Sequence, residues 1–148
     1  WFDVFYRILT SRTLRNRNHY RSQLAGQLAE MGYWRIGGRG LGCNVNISKI
    51  SVPGAYEIPF ITKKIIERKS ADAIICIGAI IRGETTHYDL ISENVFMSIS
   101  NLNNLGILPI INGILTTENI NQAKERIKNG IYYADTCIRM INLNKDLT

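Results

Sequence analysis

Apolar and polar positions along this chain switch between two periods, and they do so in the same order three times. Residues 45–52, VNISKISV, are β-branched and apolar and predict a strand; beyond Pro53-Gly54, Ile58, Ile61 and Ile65 recur at helical spacing within PGAYEIPFITKKIIERK, residues 53–69. ADAIICIGAII, residues 71–81, is a continuous apolar run, as a parallel strand shows when both its faces are covered. The helix after it is marked by Leu90, Ile91, Val95, Ile99 and Leu102 as a buried stripe, with Thr86 and Asp89 spaced to cap its start. GILPIINGIL, residues 106–115, predicts the third strand, and Asn119 with Gln122 is a capping pair ahead of a helical segment over 122–143. Strands alternating with helices of this length predict an α/β fold whose parallel sheet is joined by right-handed crossovers.

The first 44 residues are less regular. DVFYRIL, residues 3–9, predicts an opening strand, and Leu24, Leu28 and Met31 followed by Gly32 predict a helix with a C-terminal glycine. YWRIGGRGLGCN, residues 33–44, has no usable period; its GGRGLG lacks the spacing and the preceding strand of a dinucleotide loop and reads as a connection.

Composition narrows the class of protein. With 148 residues, 45% of them apolar, the chain fits one domain over 1–148. Its longest apolar runs are too short to span a bilayer and no leader pattern opens it, so we expect a soluble, cytoplasmic protein. The net charge of +6 raises the question of nucleic acid, but Arg12, Arg15, Arg17 and Arg21 would spread over more than one face of a helix, which reads as solvated surface. His19 reads as a surface residue too. Cys43, Cys76 and Cys137 lack metal-ligand spacing and read as structural thiols.

Candidate chemistry gathers where the strands end. In an open parallel sheet, ligands bind outside the carboxyl ends of the strands, where helix N-termini present free N–H groups. PGAYE follows one strand, RGETTH the next and NGILTTEN the third, so all three polar clusters fall at one rim. Gly83, Glu84 and Thr85 suit an anion such as phosphate, and His87 stands one turn from it as a proton carrier.

PGAYEIP at 53–59, GAIIRGETTHYD at 78–89 and NGILTTENINQAKER at 112–126 together resemble the motif series of the lumazine synthase family over roughly residues 45–141. The resemblance implies a flavodoxin-like three-layer sandwich with a four-stranded parallel sheet, assembly into pentamers or shells of pentamers, no cofactor and no metal. It also implies a reaction of riboflavin biosynthesis, in which 5-amino-6-(D-ribitylamino)uracil condenses with 3,4-dihydroxy-2-butanone 4-phosphate, releasing phosphate and water to give 6,7-dimethyl-8-ribityllumazine. By its motifs, His87 is the acid–base residue, Glu84 and Thr85 hold the phosphate, and Arg126 is its cationic partner. Ile80 and Ile81 offer backbone groups to the pyrimidine ring, and Ala55, Tyr56 and Glu57 meet the ribityl chain. Asn112, Gly113 and Arg126 are implied to come from a neighbouring subunit. The family's stacking aromatic has no clean counterpart, with Phe5, Tyr6 and Trp34 as candidates, and Lys128 lies near the phosphate residues in an unfixed register. Arg82 reads equally as a site residue and as a structural anchor. Other readings are a flavin- or ribityl-binding module without catalysis and a shell-forming scaffold of the same fold.

Overall fold

The computed structural model describes residues 6–12, 46–127 and 130–147. Within them the chain runs β1 (Tyr6–Arg12), β2 (Asn46–Val52), a single 3-10 turn (Ala55–Glu57), α1 (Ile58–Glu67), β3 (Ala73–Ile81), α2 (His87–Asn103), β4 (Ile110–Thr117), α3 (Ile120–Arg126) and α4 (Gly130–Asp146). The expected helix ending at Gly32 and the GGRGLG connection lie outside the described residues.

β3 explains why the sheet is sandwiched. Its residues alternate between two faces, yet both sets are buried: Ile74 and Cys76 join one apolar cluster, Ile75 and Ile77 the other. Val95 and Ile99 of α2, with Ile58 and Ile65 of α1, cover the first face, while Ala134, Cys137 and Ile141 of α4 cover the second. Helices therefore lie on both sides, making three layers. Each fully buried isoleucine contributes roughly 1.5–3 kcal/mol relative to an exposed one. Cys76 and Cys137 are free, buried thiols, and burial pushes both up to about 12.

The sheet order is β2-β1-β3-β4. β3 and β4 pair in parallel, with Ile74 opposite Ile110 and Ile81 opposite Thr117. The wholly parallel sheet expected from the sequence does not hold, because β1 runs antiparallel to both of its neighbours. Alternation of side chains has the same period in either pairing sense, so the hydropathy pattern carries no strand direction. β2 and β3 nonetheless point the same way, each being antiparallel to β1, and their carboxyl ends share a rim.

Two helical expectations are also corrected. Leu90, assigned to the buried stripe of α2, is 61% exposed, whereas Val95 and Ile99 are buried and Ile91 and Leu102 partly so. The segment 122–143 is two helices, α3 closing at Arg126 and α4 opening at Gly130. Between α2 and β4 the chain turns at Gly106, whose φ of +66° favours glycine, and Asn103 Oδ1 accepts from Ile110 N at 2.9 Å to start the strand. Among the described residues no helix is long and apolar enough to cross a membrane.

Candidate functional site

The rim is built by two loops that leave β2 and β3. After Val52, Pro53-Gly54 breaks the strand and Ala55–Glu57 form the 3-10 turn that leads into α1. After Ile81, residues 82–86 are irregular and α2 begins at His87. A cleft of about 520 Å³ lies between them, lined by Ala55, Tyr56 and Glu57 from the first loop and by Ile80, Ile81, Thr85 and His87 from the second strand and its loop. Residues 55–57, 80–81, 85 and 87 were expected on different segments of the chain, and the structure brings them to one place. Gly83, expected at the anion site, also lines the cleft, as do Gly54, Tyr88 and Ile91, which were not expected there. The two glycines stand inside the motifs already quoted, and Ile91 follows His87 by four residues, one helical turn, which places both on one face.

The start of α2 is not held as the sequence suggested. Thr86 occupies the N-cap position, but its side chain makes no capping hydrogen bond. Asp89, the other half of the expected pair, is engaged elsewhere: Arg82 Nη1 donates to its Oδ2 at 3.0 Å and Nη2 to its Oδ1 at 2.9 Å. A carboxylate gripped through both oxygens cannot turn back to the helix end. Arg82 Nε also donates to Glu118 Oε2 at 2.7 Å, its backbone N–H donates to Thr117 O at 2.9 Å, and its guanidinium lies 4.2 Å from the centre of the Tyr88 ring. Hydrogen bonds from Arg82 hold the Asp89 carboxyl below its ordinary value, and those carboxylates raise the guanidinium further above its own. His87 itself is exposed, and its backbone N–H reaches Thr85 Oγ1 at a long 3.4 Å.

The remaining expected residues lie apart from the cleft. Glu84, between Gly83 and Thr85, is exposed and does not line it. Asn112 and Gly113 sit in β4 opposite Cys76 and Ile77. Asn112 is four residues short of Thr116, which at ~3.3 Å per residue is roughly 13 Å down the strand from the rim. Asn112 Oδ1 accepts from Ile114 N at 3.1 Å. A Cβ on Gly113 would lie 3.1 Å from Cys76 O and 3.2 Å from Tyr133 Cδ2, so this glycine lets α4 approach the strand closely. Tyr133 is half-buried, and that burial raises its hydroxyl above the ordinary value against the opposing charge of Arg126.

Arg126, the last residue of α3, donates from Nη1 to Thr116 O at 3.1 Å. Thr116 lines a second hollow, of about 410 Å³, together with Tyr88, Asp89, Ser92, Glu93 and Phe96. Asn112, Gly113 and Arg126 are thus not brought into the His87 cleft of their own chain, and the described residues lining that cleft include no lysine or arginine. At the start of α3 the expected pair is present: Asn119 Oδ1 accepts from Gln122 N at 3.0 Å, and Gln122 Oε1 accepts from Glu118 N at 3.1 Å. Of the stacking candidates, Tyr6 opens β1, while Phe5, Trp34 and also Lys128 lie outside the described residues. Among the described residues no group of three or more His, Cys, Asp or Glu could hold a metal ion.

The cleft offers an imidazole, a hydroxyl and a polar helix start beside apolar strand ends. Comparison with known proteins fits that combination. The family model described as 6,7-dimethyl-8-ribityllumazine synthase matches residues 22–145. A 6,7-dimethyl-8-ribityllumazine synthase of Limosilactobacillus reuteri (strain DSM 20016) is 45% identical over 107 residues, covering 69% of this chain and 70% of the relative. One of Campylobacter jejuni subsp. jejuni serotype O:23/36 (strain 81-176) is 39% identical over 135 residues, covering 88% of this chain and 85% of the relative.

Proposed function

The chain belongs to the 6,7-dimethyl-8-ribityllumazine synthase family, transferases of riboflavin biosynthesis, and from that premise we propose how its residues divide the work. The reaction condenses 5-amino-6-(D-ribitylamino)uracil with 3,4-dihydroxy-2-butanone 4-phosphate. An amine must meet a ketone, phosphate must leave and a ring must close. Holding both partners in reactive geometry contributes on the order of 7–11 kcal/mol, and a positioned acid–base group a further ~10²–10⁴-fold in rate.

In this reading His87 carries the proton. Thr85 and the backbone at Glu84 hold the phosphate, Ile80 and Ile81 present backbone groups to the pyrimidine, and Ala55, Tyr56 and Glu57 meet the ribityl chain. The observation that carries the reading is the cleft that gathers Ala55–Glu57, Ile80, Ile81, Thr85 and His87. That cleft has no lysine or arginine of its own among its described lining residues, although one substrate is a phosphate ester. Arg126, with Asn112 and Gly113, supplies the missing wall from an adjacent copy in a flavodoxin-like homopentamer or an assembly of pentamers. Exposed apolar side chains on α2 and α4, among them Leu90, Met97, Tyr132 and Leu143, support such an assembly. The protein works in the cytoplasm and uses no cofactor.

The test is complementation between dead variants. His87→Ala and Arg126→Ala chains are co-expressed with different tags, purified through both, and assayed for lumazine formation by absorbance. In a closed ring of equal mixture, about one contact in four pairs an intact His87 with an intact Arg126, so activity returns to about a quarter of the unmodified level. Activity no higher than the mean of the two single variants, in rings shown to be mixed, refutes the shared site.

A further inference from the structure

We propose that Arg82 is a positioning residue for His87, acting as a remote clamp in place of the missing helix cap; this rests on the reading of His87 as proton carrier. Three observations converge on it. The side chain at the N-cap of α2, Thr86, makes no capping bond, and the His87 backbone N–H reaches Thr85 Oγ1 at a long 3.4 Å. The next two residues are gripped by one guanidinium, Tyr88 under its face at 4.2 Å and Asp89 through both carboxylate oxygens at 2.9 and 3.0 Å. That same guanidinium is anchored outside the helix, to Glu118 Oε2 at 2.7 Å beyond the end of β4.

The geometry makes Arg82 a bracket between the start of α2 and Glu118, which lies 36 residues further along the chain than Arg82 itself. His87 precedes the gripped pair directly, so its backbone is located by what locates Tyr88 and Asp89. Planarity matters here. A guanidinium can satisfy a bidentate carboxylate, a second carboxylate and a ring face at once, whereas an ammonium is a point charge without the fork. Arg82 is not among the residues lining the His87 cleft, which separates it from a substrate contact. Its effect on the reaction is exerted through where His87 stands, and misplacement of a reacting group by about 1 Å can cost on the order of 10²-fold in rate.

The test is a cycle in the full-length assembled protein with Arg82→Met, Arg82→Lys, His87→Ala and the double variant Arg82→Met/His87→Ala, each first checked for native circular dichroism and unchanged assembly mass. Arg82→Met is expected to lower kcat about 10- to 100-fold with the KM values of both substrates within about threefold. Arg82→Lys recovers only a small part of that loss, because charge alone does not restore the fork. The double variant is no slower than His87→Ala alone, since a residue that acts through His87 has nothing left to position. The proposal is overturned by losses that multiply in the double variant, by a lysine variant with full activity, or by an effect confined to the KM of the phosphate substrate, which would make Arg82 a direct ligand. If Arg82→Met does not fold, Asp89→Asn, which keeps the shape but loses the charge, decides: a lowered kcat in the folded variant supports the clamp and an unchanged kcat overturns it. Absence of lumazine formation by the unmodified protein would remove the functional reading itself and the clamp with it.

Discussion

Two helices start at the same rim and are held in opposite ways. α3 is capped by its own sequence, Asn119 accepting from Gln122 N three residues on, with Gln122 reaching back to Glu118 N. α2 has no side-chain cap at Thr86 and is held from outside by Arg82. On the proposed reading of His87, the difference separates stability from chemistry. A self-capped start spends its polar side chains on its own N–H groups, while an externally clamped start leaves its first turn facing the cleft with a histidine at its head.

The largest way to break this contrast is at the clamped start. His87→Ala is expected to slow turnover by ~10²–10⁴-fold, a barrier increase of roughly 3–5.5 kcal/mol, while binding of the lumazine product stays largely intact. Single-turnover kinetics and product titration measure both; an unchanged turnover number would remove His87 from the chemistry.

Next in size is a pair of glycines. Gly113→Ala forces a methyl within 3.1 Å of Cys76 O and 3.2 Å of the Tyr133 ring and should destabilise by about 1–3 kcal/mol in urea unfolding. Gly83→Ala meets no atom within 4 Å and should leave stability unchanged or slightly higher, so any loss it causes will be in activity.

A smaller effect compares the caps directly. Asn119→Ala should cost about 1 kcal/mol of stability, within the ~0.5–2 range for a lost cap, and Thr86→Ala much less, because there is no bond to lose. Equal losses in thermal unfolding would mean that the two starts do not differ.

The smallest effect is electrostatic. Asp89 is ionised in its pair with Arg82, and its carboxyl is lowered in the folded protein relative to the unfolded chain. The pair's contribution is thus complete above the ordinary carboxylate value of about 3.8 and is lost as pH falls through the lower folded value. A carboxyl-detected NMR titration should place the Asp89 midpoint below that of an Arg82→Met variant.

These contrasts also mark what the sequence discloses. The Asn119–Gln122 cap is legible because both partners stand within one turn, and the polar clusters at 53–57 and 82–87 are legible as one rim because the order of strands and helices puts loops there. The bond between Arg82 and Glu118 is not legible: it joins residues that meet only once β3 and β4 are paired. Thr86 with Asp89 has the spacing of a cap, but a stronger partner takes the carboxylate. The direction of β1 escapes for a different reason, since alternation is blind to it. Leu90 was placed inside by spacing alone, and lies at the margin of a stripe whose centre is Val95 and Ile99.

The close approach of Gly113 to Tyr133 also bears on inheritance. The strand position and the helix position share one volume, so a larger residue at 113 is favoured by a smaller one at 133, together with a small shift of the Cys76 carbonyl that lies nearer still. Relatives that carry a side chain in the middle of this strand should carry a slimmer residue on the facing helix, and a library that varies both positions together should yield folded proteins that neither single-position library contains.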